Sequence, residues 1–472
     1  MRFLLILLSG LLPLQLYAQS SILLDIPELP EGTSPIPEPG GGEPVGVLIN
    51  HYNAQQYKKI IPQEIYALIR SASLSVDAAR RVKYEWRLDD AWEKKSEELR
   101  TANVNLEKGD LQTLKFPIER GFPFGTGKAV EALWMEAQAD DQESNKKALD
   151  PSLAYKILWN VQSQFWGFGF FDLLFDIKWL KEGKPFRSAA GRLLRAYPAA
   201  LSLEHKSEQL FRELIEFSAP STIQWYSWLT FRFKGMDEDM VWTYSPASKK
   251  VRQLTASNRA DALITSSVAA DDLLGWSGKI AMIEATLESK TVGLVPFPEL
   301  EMAALQDRPN SCAEVVSIGD SWADKVPAHW NFETARFPGE AAWLPTRAVF
   351  APRKLWRIEL SSRDPYSLYG RQVLYVDAVM QLPVYKIVYD RAGRPFKTII
   401  QSYGLAATKD RSRKAPYPAF AIILDHTKDT SFVIDYRKVM YCMAYPNEYP
   451  LERFAPAKIG EPQPVAIAAK AE

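Results

Sequence analysis

The chain lacks an excess of charge of either sign. Lys plus Arg number 57 and Asp plus Glu number 57 over 472 residues, so the formal net charge is zero. General binding to nucleic acid needs a basic surface that displaces counterions, and nucleic acid is therefore excluded as a partner class. Histidine is scarce. His51, His205, His329 and His426 stand far apart, without the paired spacing of metal ligands, and neither a metal nor a cofactor is expected. Cysteine stops at Cys312 and Cys442. In an oxidising compartment two cysteines can pair across such a gap, or both can remain buried thiols; spacing alone leaves both open.

Long apolar runs are also missing from the body of the chain. The N-terminal "MRFLLILLSGLLPLQLYAQS" has Arg2, an apolar stretch from Phe3 to Leu14 broken by Pro13, and small Ala18 before Gln19. That is the layout of a cleaved secretory signal peptide over residues 1–18, too short and too interrupted for a membrane span. No cysteine lies near the cleavage point, which excludes a lipid anchor there. "FWGFGFFDLLFDIKWL", Phe165 to Leu180, is the most apolar later stretch, but Asp172, Asp176 and Lys178 interrupt it. It reads as a buried strand pair packed on a main sheet, with a lip that touches a bilayer or a lipid as the competing reading. The expectation is a periplasmic protein, with the outer membrane as a neighbouring surface and no transmembrane span in the mature chain.

What is abundant is aromatic. There are 14 Trp, 20 Tyr and 22 Phe, and hydrophobic residues make up 47%, enough for large cores or a ring-lined site. Residues 19–45 are rich in Pro and Gly and read as a linker, and residues 455–472 as a flexible tail. From 46 to 150 the pattern is mainly helical. Asn53 offers a cap, Pro62 can open a helix, "DAWEKKSEELRTA" is a charged helix, and another helix begins near Gly127. From 151 to 454 the period shifts to two. In "QWYSWLTFRFK", Trp225, Ser227, Leu229, Phe231 and Phe233 share one face, and Tyr226, Trp228, Thr230 and Arg232 the other. "VWTYSPASKKVRQL" reads as a hairpin with Trp242 and Tyr244 on one face and a basic tip. "YDRAGRP" reads as a hairpin turn in which Gly393 supplies a positive φ. Short turns between successive strands imply an antiparallel sheet.

Catalytic motifs fail on spacing. Gly319-Asp320-Ser321 follows an apolar strand, as in one esterase family, but that chemistry needs an Asp-x-x-His near the C-terminus, and here Asp425 and His426 are adjacent. "GFPFGTGKA" is no phosphate loop, because Phe122 and Ala129 occupy the positions that Gly and Ser or Thr must hold. The carboxylates of "DDAWEKKSEE" and "ADDQES" sit in charged helices rather than an apolar setting.

Three stretches together carry a resemblance. They are "DMVWTYSPASKKVRQLTASNRADALITSSVAADDLLGW", "LWRIELSSRDPYSLYGRQVLYVDAVMQLPVYKIVYDRAGRPFKTIIQSYG", and "INHYNAQQYKKIIPQE" with "PFGTGKAVEALW". This set resembles the bacterial periplasmic proteins of domain-of-unknown-function family 1329, whose core is similar to the lipoprotein-sorting carriers LolA and LolB. Trp242, Tyr244, Pro246, Lys249, Lys250, Val251 and Arg252 carry the most specific part, and Tyr375, Asp377, Tyr389, Asp390 and Gly393 a second. Ala247 and the lysine pair depart from the family's usual Gly and Arg.

The resemblance implies an α+β fold: a large curved antiparallel sheet, a half-open barrel, with helices plugging its concave face. It implies a non-enzymatic carrier or binding protein for a lipid or other hydrophobic molecule, serving an envelope transporter. The competing class is a structural or adaptor protein whose cleft is filled by its own side chains; an esterase using Ser321 is a third. On the carrier reading, Trp225, Leu229, Phe231, Phe233, Trp242, Tyr244, Trp276 and Trp356 line the cleft, and Lys249, Lys250 and Arg252 form a basic rim. Rings supply large buried area with few rotatable bonds, which suits an apolar cleft.

Overall fold

The computed structural model describes residues 35–36 and, between 46 and 461, all but 72–73, 75, 80–83, 104, 115–118, 141–149, 168, 182–183, 199–200, 202–207, 256–260, 265, 299–300, 310, 317–348, 429 and 447–450. The signal peptide, nearly all of the linker, most of the tail, His205, His329 and Ser321 therefore lie outside the described residues.

The N-terminal part contributes strands β1 (Pro35–Ile36), β2 (Gly46–Ile49) and β3 (Val76–Ala79), and helices α1 (Gln63–Arg70), α2 (Asp90–Asn103), α3 (Lys108–Thr113) and α4 (Gly127–Asp140). A 3-10 turn over Ala54–Ile60 precedes α1 and has Asn53 at its cap, and Pro62 caps α1. Helix α2 carries charge on most of its surface but buries Trp92, Ser96 and Leu99. Helix α5 (Ser152–Gln162) is apolar nearly all round and is buried along most of its length, as that pattern requires.

The strands then run in sequence: β4 (Phe170–Lys181), β5 (Lys184–Ala196), β6 (Gln209–Ala219), β7 (Ser227–Phe233), β8 (Met240–Ser245), β9 (Lys250–Leu254), β10 (Ile283–Phe297), β11 (Ala303–Arg308), β12 (Cys312–Val316), β13 (Val349–Ser362), β14 (Arg371–Asp377), β15 (Pro383–Tyr389), β16 (Pro395–Ala407), β17 (Lys414–Asp425) and β18 (Thr430–Cys442). One antiparallel run crosses the molecule in the order β10-β13-β14-β15-β16-β17-β18-β4-β5-β6-β7-β8-β9. The only parallel pairings among the described residues are brief, β11 with β16 and β3 with β13. Breaks in register recur along the run, for example at Tyr436/Lys438 and Val388/Tyr389, and such bulges bend a sheet. The bend brings β10 back over β15 and β16. The Tyr385 hydroxyl donates to the Leu294 carbonyl, and the Ser402 hydroxyl donates to the Pro296 carbonyl at 3.0 Å. The result is a partly closed roll.

The apolar stretch from Phe165 is not the expected strand pair: it forms a short 3-10 turn, Phe165–Gly167, and then the single strand β4, whose partners β18 and β5 come from outside the stretch. The expected hairpins are present. Trp242 lies opposite Gln253 and Tyr244 opposite Val251, and Gly393 turns between β15 and β16 at φ 76°. Residues before and after position 150 share cores. One cluster joins Phe124, Trp134 and Trp159 to Trp356, Leu374 and Val376.

Candidate functional site

Alternation divides the β4–β8 region into two faces. On one lie Leu173, Phe175, Ile177 and Trp179 of β4, Leu193 of β5, Ile215 and Phe217 of β6 and Trp228 of β7, matched by strand register. This inner face is covered by an irregular segment, residues 263–264 and 266–277, which includes a 3-10 turn over Ala270–Gly275. The turn is broken at Leu274, which takes a left-handed conformation at φ 54°, unusual for a branched residue. Between segment and sheet lies a hollow of about 480 Å³, counted with the part open to solvent. Phe175, Trp179, Phe217, Leu273, Ile434 and Tyr436 are among its walls. The hollow is narrow, so that a water-sized sphere has little freedom to move within it. The Trp179 indole N–H is buried there without a hydrogen-bond partner, while the guanidinium of Arg187 stacks 4.9 Å from its ring.

A second hollow continues along the same face and shares Leu274 with the first. Its walls include Gln162, Trp166, Arg195, Tyr197, Phe211 and Ser277. Arg195 is nearly fully buried. It pairs with Glu213, donates to the Ser277 hydroxyl at 3.1 Å, and stacks 4.4 Å from the Phe211 ring. Burial works against its charge, and the Glu213 carboxylate outweighs that effect. Burial also pushes the Tyr197 phenol up, so it stays a neutral hydroxyl at physiological pH. Arg232 donates to the Ser277 carbonyl at 3.0 Å and pairs with Asp239 at 2.6 Å and Asp271 at 3.2 Å. Lys279 joins Asp239 at 2.9 Å.

The covering segment is pinned by charge. Asp272 is fully buried and receives Lys386 of β15 at 2.7 Å, Lys397 of β16, the Tyr369 hydroxyl at 2.8 Å and the backbone N–H of Ala269 at 2.9 Å. Burial alone would raise its carboxyl pKa, but the two lysines outweigh that and hold it well below the usual carboxylate range. Lys397 is also pushed below its ordinary value, by burial first, and Lys386 adds to that while Asp272 opposes it. The Tyr403 hydroxyl holds the Leu274 carbonyl at 2.7 Å.

The residues singled out in the sequence separate into several places. Leu229, Phe231, Trp242 and Tyr244 lie on the outer face, opposite the hollow. Phe231 and Trp242 meet edge to face at 5.0 Å, and Phe454 and Ile459 from the C-terminal segment pack on the same cluster. Gly460 crosses so close to Tyr244 that a Cβ there would overlap the ring. Trp225 sits in the turn before β7 at φ 72°. Phe233 borders a third, smaller hollow with Lys279. Trp276 lines the polar hollow, and Trp356 is buried against Trp134 at 5.7 Å in the α4–α5 core. The rings of β7 and β8 thus border a strap formed by residues 451–461, and the inner face belongs to Trp228, Thr230 and Val241. Strand alternation showed that there were two faces; which one the chain covers depends on the return of a segment far along the sequence.

Lys249, Lys250 and Arg252 are exposed at the β8–β9 tip. Cys312 and Cys442 lie opposite one another between β12 and β18 and are joined by a disulfide. Asp425 accepts from Ser267 and Thr427, and His426 faces Thr398 at 2.9 Å. Among the described residues no three His, Cys, Asp or Glu side chains gather as metal ligands, and no helix is long and apolar enough to cross a membrane.

Residues 48–459 match the model of a family described as protein of unknown function, DUF1329. The chain belongs to that family. Among curated proteins none matches it. Solved structures similar to this family member include a domain of the outer membrane lipoprotein-sorting kind from Vibrio parahaemolyticus, at 14% identity and TM-score 0.42, covering 65% of this chain and 97% of the other. A DUF1329 family protein from Desulfovibrio piger matches at 12% identity and TM-score 0.39, over 70% and 98%. A LolA superfamily protein from Nitrosomonas europaea matches at 14% and 0.36, over 62% and 96%. At these identities and scores the likenesses carry no weight for ligand or partner.

Proposed function

We propose that this chain binds a lipid or other hydrophobic molecule in the bacterial envelope, without chemistry of its own, between the inner face of β4–β6 and the covering segment. The observation that carries this reading is the apolar hollow under a cover that is irregular and held at a few polar points. Apolar walls contribute about 0.8 kcal/mol for each methylene they take from water, before the cost of association. The hollow is narrow, and on this reading the cover lifts to admit an acyl chain. The leader-like N-terminus and the disulfide favour an oxidising, periplasmic location. Service to an envelope transporter belongs to the same proposal and rests on the family resemblance.

One observation favours a second reading. Leu273 and Leu274 are buried against the sheet and leave the hollow narrow, which suits an adaptor whose cleft is closed by its own residues. Native mass spectrometry of the protein purified from its periplasm, followed by organic extraction, separates the two. A reproducible bound lipid is expected. A protein that stays empty and takes up no fluorescent hydrophobe after lipid challenge is the adaptor instead.

A further inference from the structure

The two hollows are ends of one groove. Along β5 the inner face reads Leu193, Arg195 and, just past its end, Tyr197, and along β6 it reads Phe217, Ile215, Glu213, Phe211. One step of two residues converts an apolar wall into a polar one on both strands. The same covering segment roofs the whole length, with Leu273 over the apolar end and Ser277 over the polar end. Leu274 alone belongs to both hollows and divides them. The six steps from Phe211 to Phe217 span about 20 Å at the rise of a strand. That suits a chain lying along the strands better than a compact apolar molecule.

We infer that the ligand is a single-chain amphiphile with an uncharged, hydroxyl-bearing head of the monoacylglycerol class, its chain against Phe175 and Phe217 and its head beside Arg195, Tyr197 and Ser277. This rests on the hydrophobe-binding reading above. The charge balance chooses the head. Arg195, Arg232 and Lys279 are engaged by Glu213, Asp239 and Asp271, so an arriving carboxylate or phosphate meets three carboxylates and cations already paired. Hydroxyl groups are what the polar end offers. The Ser277 and Tyr197 hydroxyls can each donate and accept, and both already lie within reach of Arg195, at 3.1 and 3.5 Å. Entry displaces Leu274, whose left-handed backbone marks the place where the cover departs from regular structure.

The test is calorimetric titration of the full mature chain with three probes of one chain length: monolaurin, laurate and dodecane. Monolaurin is expected to bind about tenfold or more tighter than either of the others. Ser277→Ala, a small change that leaves the ion pairs intact, is expected to weaken monolaurin about fivefold and leave dodecane unchanged. Laurate binding tightest, dodecane equalling monolaurin, or Ser277→Ala leaving monolaurin unchanged overturns the assignment of the head while the hydrophobe reading stands. If none of the three binds, both fall together.

Discussion

Asp272 shows how much one side chain can hold. Its carboxylate pairs with two buried lysines from neighbouring strands, and it sits on the covering segment rather than on the sheet. Asp272→Asn leaves Lys386 and Lys397 buried without a carboxylate. A change of this kind costs about 3–5 kcal/mol, read as a lower melting temperature. Because the cover loosens first, uptake of a fluorescent hydrophobe should rise under conditions where the fold is intact; unchanged uptake would show that the pin does not control the cover. The pH sign follows from the depressed carboxyl. Its contribution is full above the unfolded value near 3.9 and is lost as pH falls through the folded value. The stability gap between wild type and Asp272→Asn should therefore narrow as pH drops below about 4. In the sequence this residue was legible only as half of an acidic pair in "VAADDLLGW"; nothing local shows that Asp272 turns inward and Asp271 toward Arg232.

At the scale of elements, the strands were the legible part. Alternation in "QWYSWLTFRFK" and the turn chemistry at Gly393 anticipate β7 and the β15–β16 hairpin, because both are set by neighbours in sequence. What alternation leaves open is which face meets the cover. The Trp242 face takes the C-terminal strap, where Arg453 also pairs with Glu216, and that contact joins residues far apart in the chain. The disulfide borders the same cluster and closes a loop of 130 residues. Replacing Cys312 and Cys442 together by Ser is expected to destabilise by about 3–5 kcal/mol in the chain-entropy account, measured by denaturant unfolding. It should also speed proteolysis within residues 451–461 relative to the rest. Equal cleavage rates in both proteins would separate the strap from the bridge.

For the whole molecule, the antiparallel design could be anticipated because the chain contains no alternation of strand and crossover helix. The closure of the roll could not. It depends on bulges and on carbonyls reached from distant strands, such as that of Leu294 by Tyr385. The site was half legible for the same reason: its apolar strand, Phe170–Lys181, stands out in composition, whereas Arg195 and Ser277 meet only after some eighty residues of intervening chain have folded back.

One feature of the outer rim bears on how copies of the protein behave beside each other. Among the described residues β9 pairs only with β8, so its second edge offers open backbone groups to any passing strand. Lys250 and Arg252 are exposed on it, and two such edges brought together would set like charges side by side. The cationic hairpin is therefore expected to oppose edge-to-edge association of copies. Lys250→Val with Arg252→Val should shift the protein toward self-association in analytical ultracentrifugation, and a variant that sediments as the parent does would leave that edge protected by something else.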